Sequence, residues 1–157
     1  MTKVRYAIIG CGGIAAKHAL AIRETPDAEL VACCDQVRDS ALRFAEANKL
    51  HAFDTYEELL ASDTVDAVSL CTPSGLHTPQ AIQAIEAGKH VLLEKPMSLT
   101  LEEADRLIEA ADKGGVKVGV ISQYRFSPAV AEIRRAIEAG ALGRITSGSL
   151  QMKYWRS

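Results

Sequence analysis

Short runs of apolar residues alternate with longer amphipathic stretches along almost the whole chain. The apolar runs have the length of strands and are continuously apolar, which is typical of strands covered by helices on both faces. Strands are predicted over 4–9, 29–35, 51–53, 66–71, 90–94 and 116–121. Helices are predicted over 14–25, 37–48, 55–61, 77–87, 100–113 and 128–139. The sequence therefore predicts an α/β fold, a doubly wound parallel sheet of the Rossmann type.

Local signals mark several helix ends. Thr55 and Thr100 each precede a glutamate by three residues, Glu58 and Glu103, in the arrangement of a capping box. Gly88 follows the last apolar position of another helix, where a glycine commonly ends the helix. These signals predict helices that begin at the two threonines and one that stops before Gly88.

Charge and composition exclude several classes of protein. Eighteen basic and twenty acidic residues leave a net charge of −2, so no strong field attracts nucleic acid or an anionic membrane. No apolar run approaches the roughly 18 residues of a membrane span, and the N-terminus does not resemble a signal peptide. Four cysteines, at 11, 33, 34 and 71, fit neither a zinc site nor a disulfide framework. A cytoplasmic protein with buried cysteines and no metal is expected.

A glycine-rich turn joins the first strand to the first helix. Residues 10–15 read Gly-Cys-Gly-Gly-Ile-Ala, the dinucleotide-binding pattern with Ala15 at the third small position. Gly10 allows a tight turn, and Gly12 lets a phosphate approach the backbone. The helix N-terminus offers N–H groups and partial positive charge to a pyrophosphate. The turn predicts a dinucleotide site, although some methyltransferase sheets also use such a turn.

An acidic residue ends the second strand. Asp35 lies 25 residues after Gly10, close to the usual position of the carboxylate that binds the adenosine ribose. Asp35 repels a 2′-phosphate, which favours NAD over NADP. Arg38, three residues further on, can neutralise such a phosphate, so NADP stays possible.

Three further motifs follow predicted strands. They are Thr-Pro-Ser-Gly-Leu-His at 72–77, Glu-Lys-Pro at 94–96 and Gln-Tyr-Arg-Phe-Ser-Pro at 123–128. Each lies just past the carboxyl end of its strand, where open α/β sheets bind ligands. The sequence after the fourth and fifth predicted strands, which contains the first and second motifs, argues against a methyltransferase.

With the glycine turn, these motifs resemble the glucose–fructose oxidoreductase, inositol dehydrogenase and rhizopine catabolism family (Gfo/Idh/MocA). The resemblance covers residues 4 to about 143. It implies a nucleotide-binding domain over 1–143, with 144–157 as the start of a second α+β domain that this chain lacks. It also implies hydride transfer between a nicotinamide ring and a hydroxyl-bearing carbon of a sugar, inositol or related polyol. A homoserine- or dihydrodipicolinate-type reductase is a weaker alternative, because Glu-Lys-Pro argues against it.

Site residues follow from the resemblance position by position. The resemblance assigns binding of the pyrophosphate to Gly10, Gly12, Gly13 and Ile14, and binding of the adenosine ribose to Asp35. The cofactor cleft is lined by Thr72, Pro73, Ser74 and His77, although Ser74 stands where the family often has Asn. Glu94, Lys95 and Pro96 lie near the nicotinamide, with Pro96 matching a proline that tends to follow a cis bond. Gln123 and Arg125 contact the nicotinamide end or the substrate rim.

Lys95 is the candidate catalytic residue. Removing hydride from an alcohol carbon requires the hydroxyl proton to leave, and a lysine there accepts it or polarises the hydroxyl. The alternative is a surface lysine that pairs with its neighbour Glu94. Three of the four histidines, at 18, 51 and 90, are assigned ordinary structural roles.

The last residues differ from the rest. Apolar and polar residues alternate over 144–155, which predicts a strand with one buried face. Such a strand has an exposed edge unless it adds to this sheet or to another chain, so a homo-oligomer is expected. The alternative is an ordered tail that packs on its own domain. The family's second-domain motif, an Asp and a His four apart, is absent from the sequence. The chain is therefore expected to turn over weakly or not at all by itself. A non-catalytic dinucleotide-binding sensor or scaffold is the alternative.

Overall fold

The computed structural model describes residues 2–151. Six strands are formed: β1 Val4–Ile9, β2 Ala28–Cys34, β3 His51–Ala52, β4 Ala67–Leu70, β5 His90–Leu93 and β6 Val118–Val120. The α-helices are α1 Ala15–Glu24, α2 Arg38–Asn48, α3 Tyr56–Ala61, α4 His77–Glu86, α5 Leu101–Gly114 and α6 Pro128–Glu138. Short 3₁₀ turns cover Ser74–Leu76 and Gln123–Phe126. Elements are thus formed where the alternating pattern predicted them, up to α6.

All six strands pair in parallel, in the order β3-β2-β1-β4-β5-β6. This is the order of a doubly wound dinucleotide-binding sheet, with the crossover between β3 and β4. The glycine-rich turn after β1 and the loop after β4 are therefore neighbours at the carboxyl edge. The predicted fold class is confirmed.

Apolar side chains fill both faces of the sheet. On β1, Ile8 packs toward α1 and α2, whereas Ala7 and Ile9 pack toward α3, α4 and α5. Cys33 and Cys34 likewise belong to the two opposite cores, as their adjacency in a strand predicts. The continuously apolar strands are thus explained by helices on both sides.

The predicted capping signals are formed. The Thr55 hydroxyl accepts from Glu58 N at 3.1 Å, and the Thr100 hydroxyl accepts from Glu103 N at 3.2 Å. Gly88 adopts a left-handed φ of 73° just past the end of α4. These side chains and this glycine satisfy backbone groups that helix ends leave without partners, so they fix where the helices begin and end.

The chain divides into two compact units between Ile121 and Ser122. The second unit contains the turn Gln123–Phe126 and α6. The strand predicted over 144–155 is not formed in its described part, 144–151, where Leu150 is 85% exposed. A strand needs a hydrogen-bonding neighbour, and 144–151 has none within the described chain. The remainder of that prediction, from Met152 onward, lies outside the described residues.

Within residues 2–151, no helix combines the length and the apolar composition needed to cross a membrane.

Candidate functional site

A cleft of about 650 Å³ opens at the carboxyl edge of the sheet. Its floor is made by the ends of β1, β2 and β4 together with the loops that follow them. Of the residues assigned to cofactor binding, it brings together Gly10, Gly12, Asp35, Thr72 and Pro73. This is the crevice at which doubly wound sheets bind nucleotides.

Gly10 is held where no other residue fits without strain. Its φ is +86°, and a Cβ there would stand 3.0 Å from the carbonyl carbon and oxygen of Cys71 and from Cγ2 of Thr72. Its N–H donates to Cys34 O at 2.9 Å. The turn therefore packs directly against the end of β4, which leaves room for a ligand on the other side.

The remaining glycines of the turn face open space. A Cβ on Gly12 or Gly13 would meet no atom within 4 Å. Within the described chain, the N–H groups of Gly12, Gly13 and Ile14 meet no protein acceptor. Ala15, which begins α1, is fully buried, as the close packing of this helix on the sheet requires. The turn thus presents backbone donors at a helix N-terminus, and these fit a pyrophosphate.

Asp35 is oriented by two backbone N–H groups. Its Oδ2 accepts from Cys11 N at 2.7 Å, and its Oδ1 accepts from Val37 N at 2.8 Å. One bond ties the carboxylate to the glycine turn and the other ties it to the start of α2. Each carboxylate oxygen keeps a further lone pair, so Asp35 can still accept from two ribose hydroxyls.

Arg38 is not among the residues that line the cleft, but its guanidinium contacts one of them. Its Nη2 lies 2.6 Å from Oδ1 of Asp54, and its Nη1 donates to the carbonyls of Phe53 at 3.1 Å and Ala52 at 3.3 Å. Asp54 itself lines the cleft. The guanidinium is therefore engaged at the end of β3.

The wall opposite Asp35 is held by Gln80 of α4. The Thr72 hydroxyl donates to Gln80 Oε1 at 2.6 Å, and the Tyr56 hydroxyl donates to Gln80 O at 2.8 Å. Burial raises the pKa of Tyr56, and burial raises the pKa of the Cys71 thiol to about 12. Both groups therefore stay uncharged at neutral pH, and this wall offers an apolar surface suited to a nucleoside.

His77 joins two loops of the site. It is only 1% exposed, and its ring nitrogens lie 2.7 Å from Pro96 O and 2.9 Å from Thr72 O. Both acceptors are carbonyls, so each contact needs a hydrogen on the ring nitrogen that faces it. His77 thereby fixes the loop after β4 to the loop after β5. Lys95–Pro96 is a cis peptide bond, as the resemblance implied.

The Glu94 carboxylate is held in place by His18 of α1. His18 Nε2 lies 3.1 Å from Glu94 Oε1, and His18 Nδ1 lies 2.7 Å from Ser69 Oγ on β4. An imidazole with its hydrogen on Nε2 satisfies both contacts, because it donates to the carboxylate and accepts from the hydroxyl. Glu94 Oε2 accepts from Lys95 N at 3.2 Å.

Lys95 is exposed and follows directly on this network. Its ammonium forms no salt bridge within the described residues, so the pairing with Glu94 that was the alternative is not formed. The Glu94 carboxylate is instead engaged by His18 and by the backbone of Lys95. The Lys95 side chain is therefore available to a ligand.

The other predicted residues lie elsewhere. Ser74 begins the 3₁₀ turn after Pro73, next to the cleft. Gln123 and Arg125 lie in the turn Gln123–Phe126 of the second unit, where both are exposed. Their contacts with the nicotinamide end stay predictions.

Several residues at the site were not found from the sequence. They are His18, Asp54, Tyr56, Ser69 and Gln80. None lies in a recognisable motif, and their partners are between 8 and 76 residues away in the chain. The sequence offers one signal for these residues: His18 is spaced three or four residues from other buried positions of α1. That spacing indicates burial of His18 but not its contact with Glu94.

Comparison with known proteins assigns the family. Residues 4–122 match the sequence model described as "Oxidoreductase family, NAD-binding Rossmann fold", that of Gfo/Idh/MocA. The chain belongs to this family, and its role in dinucleotide binding follows from that membership.

Relatives extend well beyond this chain. The scyllo-inositol 2-dehydrogenase (NADP(+)) IolU of Bacillus subtilis is 33% identical over 94% of this chain, which covers 46% of that protein. The D-glucoside 3-dehydrogenase of Escherichia coli is 35% identical over 90% of this chain and 41% of its own length. Among solved structures, the WlbA dehydrogenase of Bordetella pertussis, in complex with NADH and UDP-GlcNAcA, superposes with a TM-score of 0.88. It is 38% identical, with 91% of this chain and 42% of that one covered. The chain thus spans less than half the length of these relatives.

Proposed function

We propose that this chain is the nucleotide-binding half of a dehydrogenase that acts on a hydroxyl-bearing carbon of a sugar, inositol or related polyol. The observation that carries the proposal is the cleft in which the donor-rich turn at Gly12 faces the ribose-binding carboxylate of Asp35. The relatives named above act on inositol and glucosides, which supports this substrate class. A bound nicotinamide ring supplies the acceptor or donor of hydride.

In this proposal, different groups of the chain bind different parts of the dinucleotide. The N–H groups of Gly12, Gly13 and Ile14 hold the pyrophosphate at the start of α1. Asp35 accepts from the adenosine ribose, and the apolar wall around Tyr56 and Thr72 covers the nucleoside. The β4 and β5 loops, joined by His77, support the nicotinamide end.

Lys95 is assigned the proton chemistry. Its backbone is fixed by Glu94, which accepts from Lys95 N, and by the contact of His77 with Pro96. Its side chain is exposed on the loop 94–96, which the resemblance to the family puts near the nicotinamide. There Lys95 takes the hydroxyl proton, or polarises the hydroxyl, as the carbon gives up hydride.

NAD is proposed as the preferred cofactor. A 2′-phosphate would meet the carboxylate of Asp35, which is fixed by two backbone N–H groups and cannot easily turn away. Asp54 and Glu57 also line the cleft, so its negative charge is reinforced. Relatives bind one cofactor or the other, since the WlbA complex contains NADH whereas IolU uses NADP(+).

The first experiment is a calorimetric titration of the purified chain with NADH and, separately, with NADPH. The proposal expects NADH binding in the micromolar range and weaker NADPH binding. The matched variant is Gly12→Glu, whose Cβ would meet no atom within 4 Å and whose carboxylate should repel the pyrophosphate. Absence of binding to either cofactor at millimolar concentration would contradict the proposal.

Activity is tested on the protein encoded by the whole reading frame that contains these 157 residues. NAD reduction is followed with inositols, glucosides and nucleotide sugars. Lys95→Met is expected to lower kcat by about 100-fold or more while NADH affinity changes little. If no substrate is oxidised although NADH binds, the second candidate is favoured, a non-catalytic sensor or scaffold.

Self-association and a cytoplasmic location are also part of the proposal. Ile145 and Leu150 are exposed in the described part of 144–157, which suits a segment that pairs with a second copy. Light scattering coupled to gel filtration compares the chain with a version ending at Gly143. The shorter version is expected to be monomeric. The same number of copies per particle for both versions would contradict this role of 144–157.

A further inference from the structure

The position of Arg38 raises a question of cofactor selectivity. Arginines that follow the second strand commonly accommodate the 2′-phosphate of NADP. Arg38 is the first residue of α2 and stands three residues after Asp35, so its place in the chain suits that role. Its side chain, however, is engaged elsewhere in the structure.

Three contacts hold the guanidinium at the end of β3. Nη2 meets the carboxylate of Asp54 at 2.6 Å, and Nη1 donates to two carbonyls, those of Phe53 and Ala52. The two carbonyls belong to backbone on the path from β3 to α3, so they do not move with a side chain. Asp54 is the one partner in this set that carries a charge and that a substitution can remove.

We propose that Asp54 is a cofactor-specificity residue, which holds Arg38 at the end of β3 and so prevents it from neutralising a 2′-phosphate beside Asp35. The inference rests on the proposed function, because it requires that the cleft bind a nicotinamide dinucleotide. Asp54 also lines the cleft, so its carboxylate opposes the 2′-phosphate directly. Both effects favour NAD, and a double substitution separates them.

The hold on Arg38 is easily reversed. Arg38 is 44% exposed and Asp54 is 64% exposed, and exposed ion pairs of this kind are individually weak. Once the carboxylate is gone, Arg38 keeps only the two carbonyl contacts, and the charge of a phosphate is the stronger attraction. A guanidinium on a flexible side chain at the start of α2 can then turn toward the ribose.

The experiment measures the affinity of the 157-residue chain for NADH and for NADPH by fluorescence titration at fixed ionic strength. Asp54→Ala is expected to raise the ratio of NADPH affinity to NADH affinity about fivefold to tenfold. Arg38→Met alone is expected to change that ratio less than about twofold, because the guanidinium of the wild-type chain is held away from the phosphate.

The double variant Arg38→Met/Asp54→Ala is decisive. If Arg38 carries the larger part of the gain, the ratio falls back by more than half of that gain, and only the part due to direct repulsion by Asp54 remains. If half or more of the gain persists in the double variant, Asp54 acts mainly by repulsion and the proposal is overturned. A drop in NADPH affinity caused by Arg38→Met alone would also overturn it, because Arg38 would then already contact the phosphate.

Asp63→Ala is the matched control for net charge. Asp63 is an exposed carboxylate just before β4, at the opposite, amino edge of the sheet. Asp63→Ala is expected to leave the ratio of NADPH affinity to NADH affinity unchanged. A rise equal to that of Asp54→Ala would show that only overall charge matters, and it would overturn the proposal.

A wild-type chain that binds neither cofactor would instead refute the proposed function. Binding of NADH with an unchanged ratio in Asp54→Ala refutes this inference alone.

Discussion

Two regions of the candidate site, the adenosine end at the cleft and the loop 94–96, are built differently. At the adenosine end, the groups proposed to bind are backbone N–H groups of the turn and the carboxylate of Asp35, which the backbone itself orients. In the second region, the loop 94–96 is fixed by two buried histidines, His18 and His77, that come from different helices. The adenosine end therefore depends on the local conformation of the turn, whereas the second region depends on side chains from distant elements.

The difference bears on what each region can do. A backbone cradle is complete once β1, the turn and α1 have formed. The loop after β5 is fixed at Glu94 and Pro96, yet the Lys95 side chain between them stays exposed. A reactive group on a fixed backbone is well suited to meet a substrate that binds later.

The largest effect on stability is expected at the histidine-supported region. His77→Leu removes both ring-nitrogen contacts to the partly buried carbonyls of Thr72 and Pro96, and a loss of about 2–4 kcal/mol in unfolding free energy is expected. His77→Gln, which keeps one donor, is expected to lose clearly less. Chemical denaturation measures both, and equal losses would show that His77 acts through packing rather than through its hydrogen bonds.

Substitution of Gly10 tests the adenosine end. Gly10→Ala forces a left-handed φ on a residue with a Cβ and brings that Cβ to 3.0 Å from the backbone of Cys71. A loss of about 1–3 kcal/mol in unfolding free energy is expected, together with loss of NADH binding. Gly12→Ala, whose Cβ meets nothing in the protein, should weaken NADH binding with little change in stability. If both variants lose stability equally, the close approach of Gly10 to β4 is not what fixes the turn.

Asp35 is expected to affect binding more than folding. Asp35→Asn removes the negative charge that accepts from the ribose hydroxyls. NADH affinity should fall about tenfold, which is the free energy of about one hydrogen bond to a charged group. NADPH affinity should fall less, because repulsion of the 2′-phosphate is lost too. Titration with both cofactors checks this, and an equal fall for both would remove Asp35 as a discriminating residue.

The smallest effect lies far from the cleft, at the amino edge of the sheet. The Arg5 guanidinium, which lies 2.6 Å from Asp66, lowers the pKa of that carboxyl to about 2. Because the folded pKa lies below the unfolded value of 3.8, this contribution is present above about pH 4 and is lost as the pH falls toward 2. Asp66→Asn should lower Tm by about 2 °C or less at pH 7, and by clearly less at pH 2, where about half of the Asp66 carboxyls are protonated. A deficit that persists undiminished at pH 2 would assign the role of Asp66 to packing.

Sequence patterns predicted well wherever the determining interactions are local. Residues a few positions apart specify the conformation of the glycine turn, the helix caps at the two threonines and the continuously apolar strands. The structure confirms the caps and the parallel sheet. The terminal strand was wrong over 144–151 because alternation describes only one face of a strand. A strand also needs a partner, which no alternation can supply.

By itself, the sequence determined the sheet, the position of the cleft at its carboxyl edge and the family to which the chain belongs. Tertiary structure alone decided how the cleft is held together: that His18 reaches Glu94, that His77 joins two loops, and that Arg38 turns to Asp54. The physical reason is that periodicity and turn chemistry are properties of neighbouring residues. A contact between side chains as far as 76 residues apart exists only after the sheet has brought their elements together.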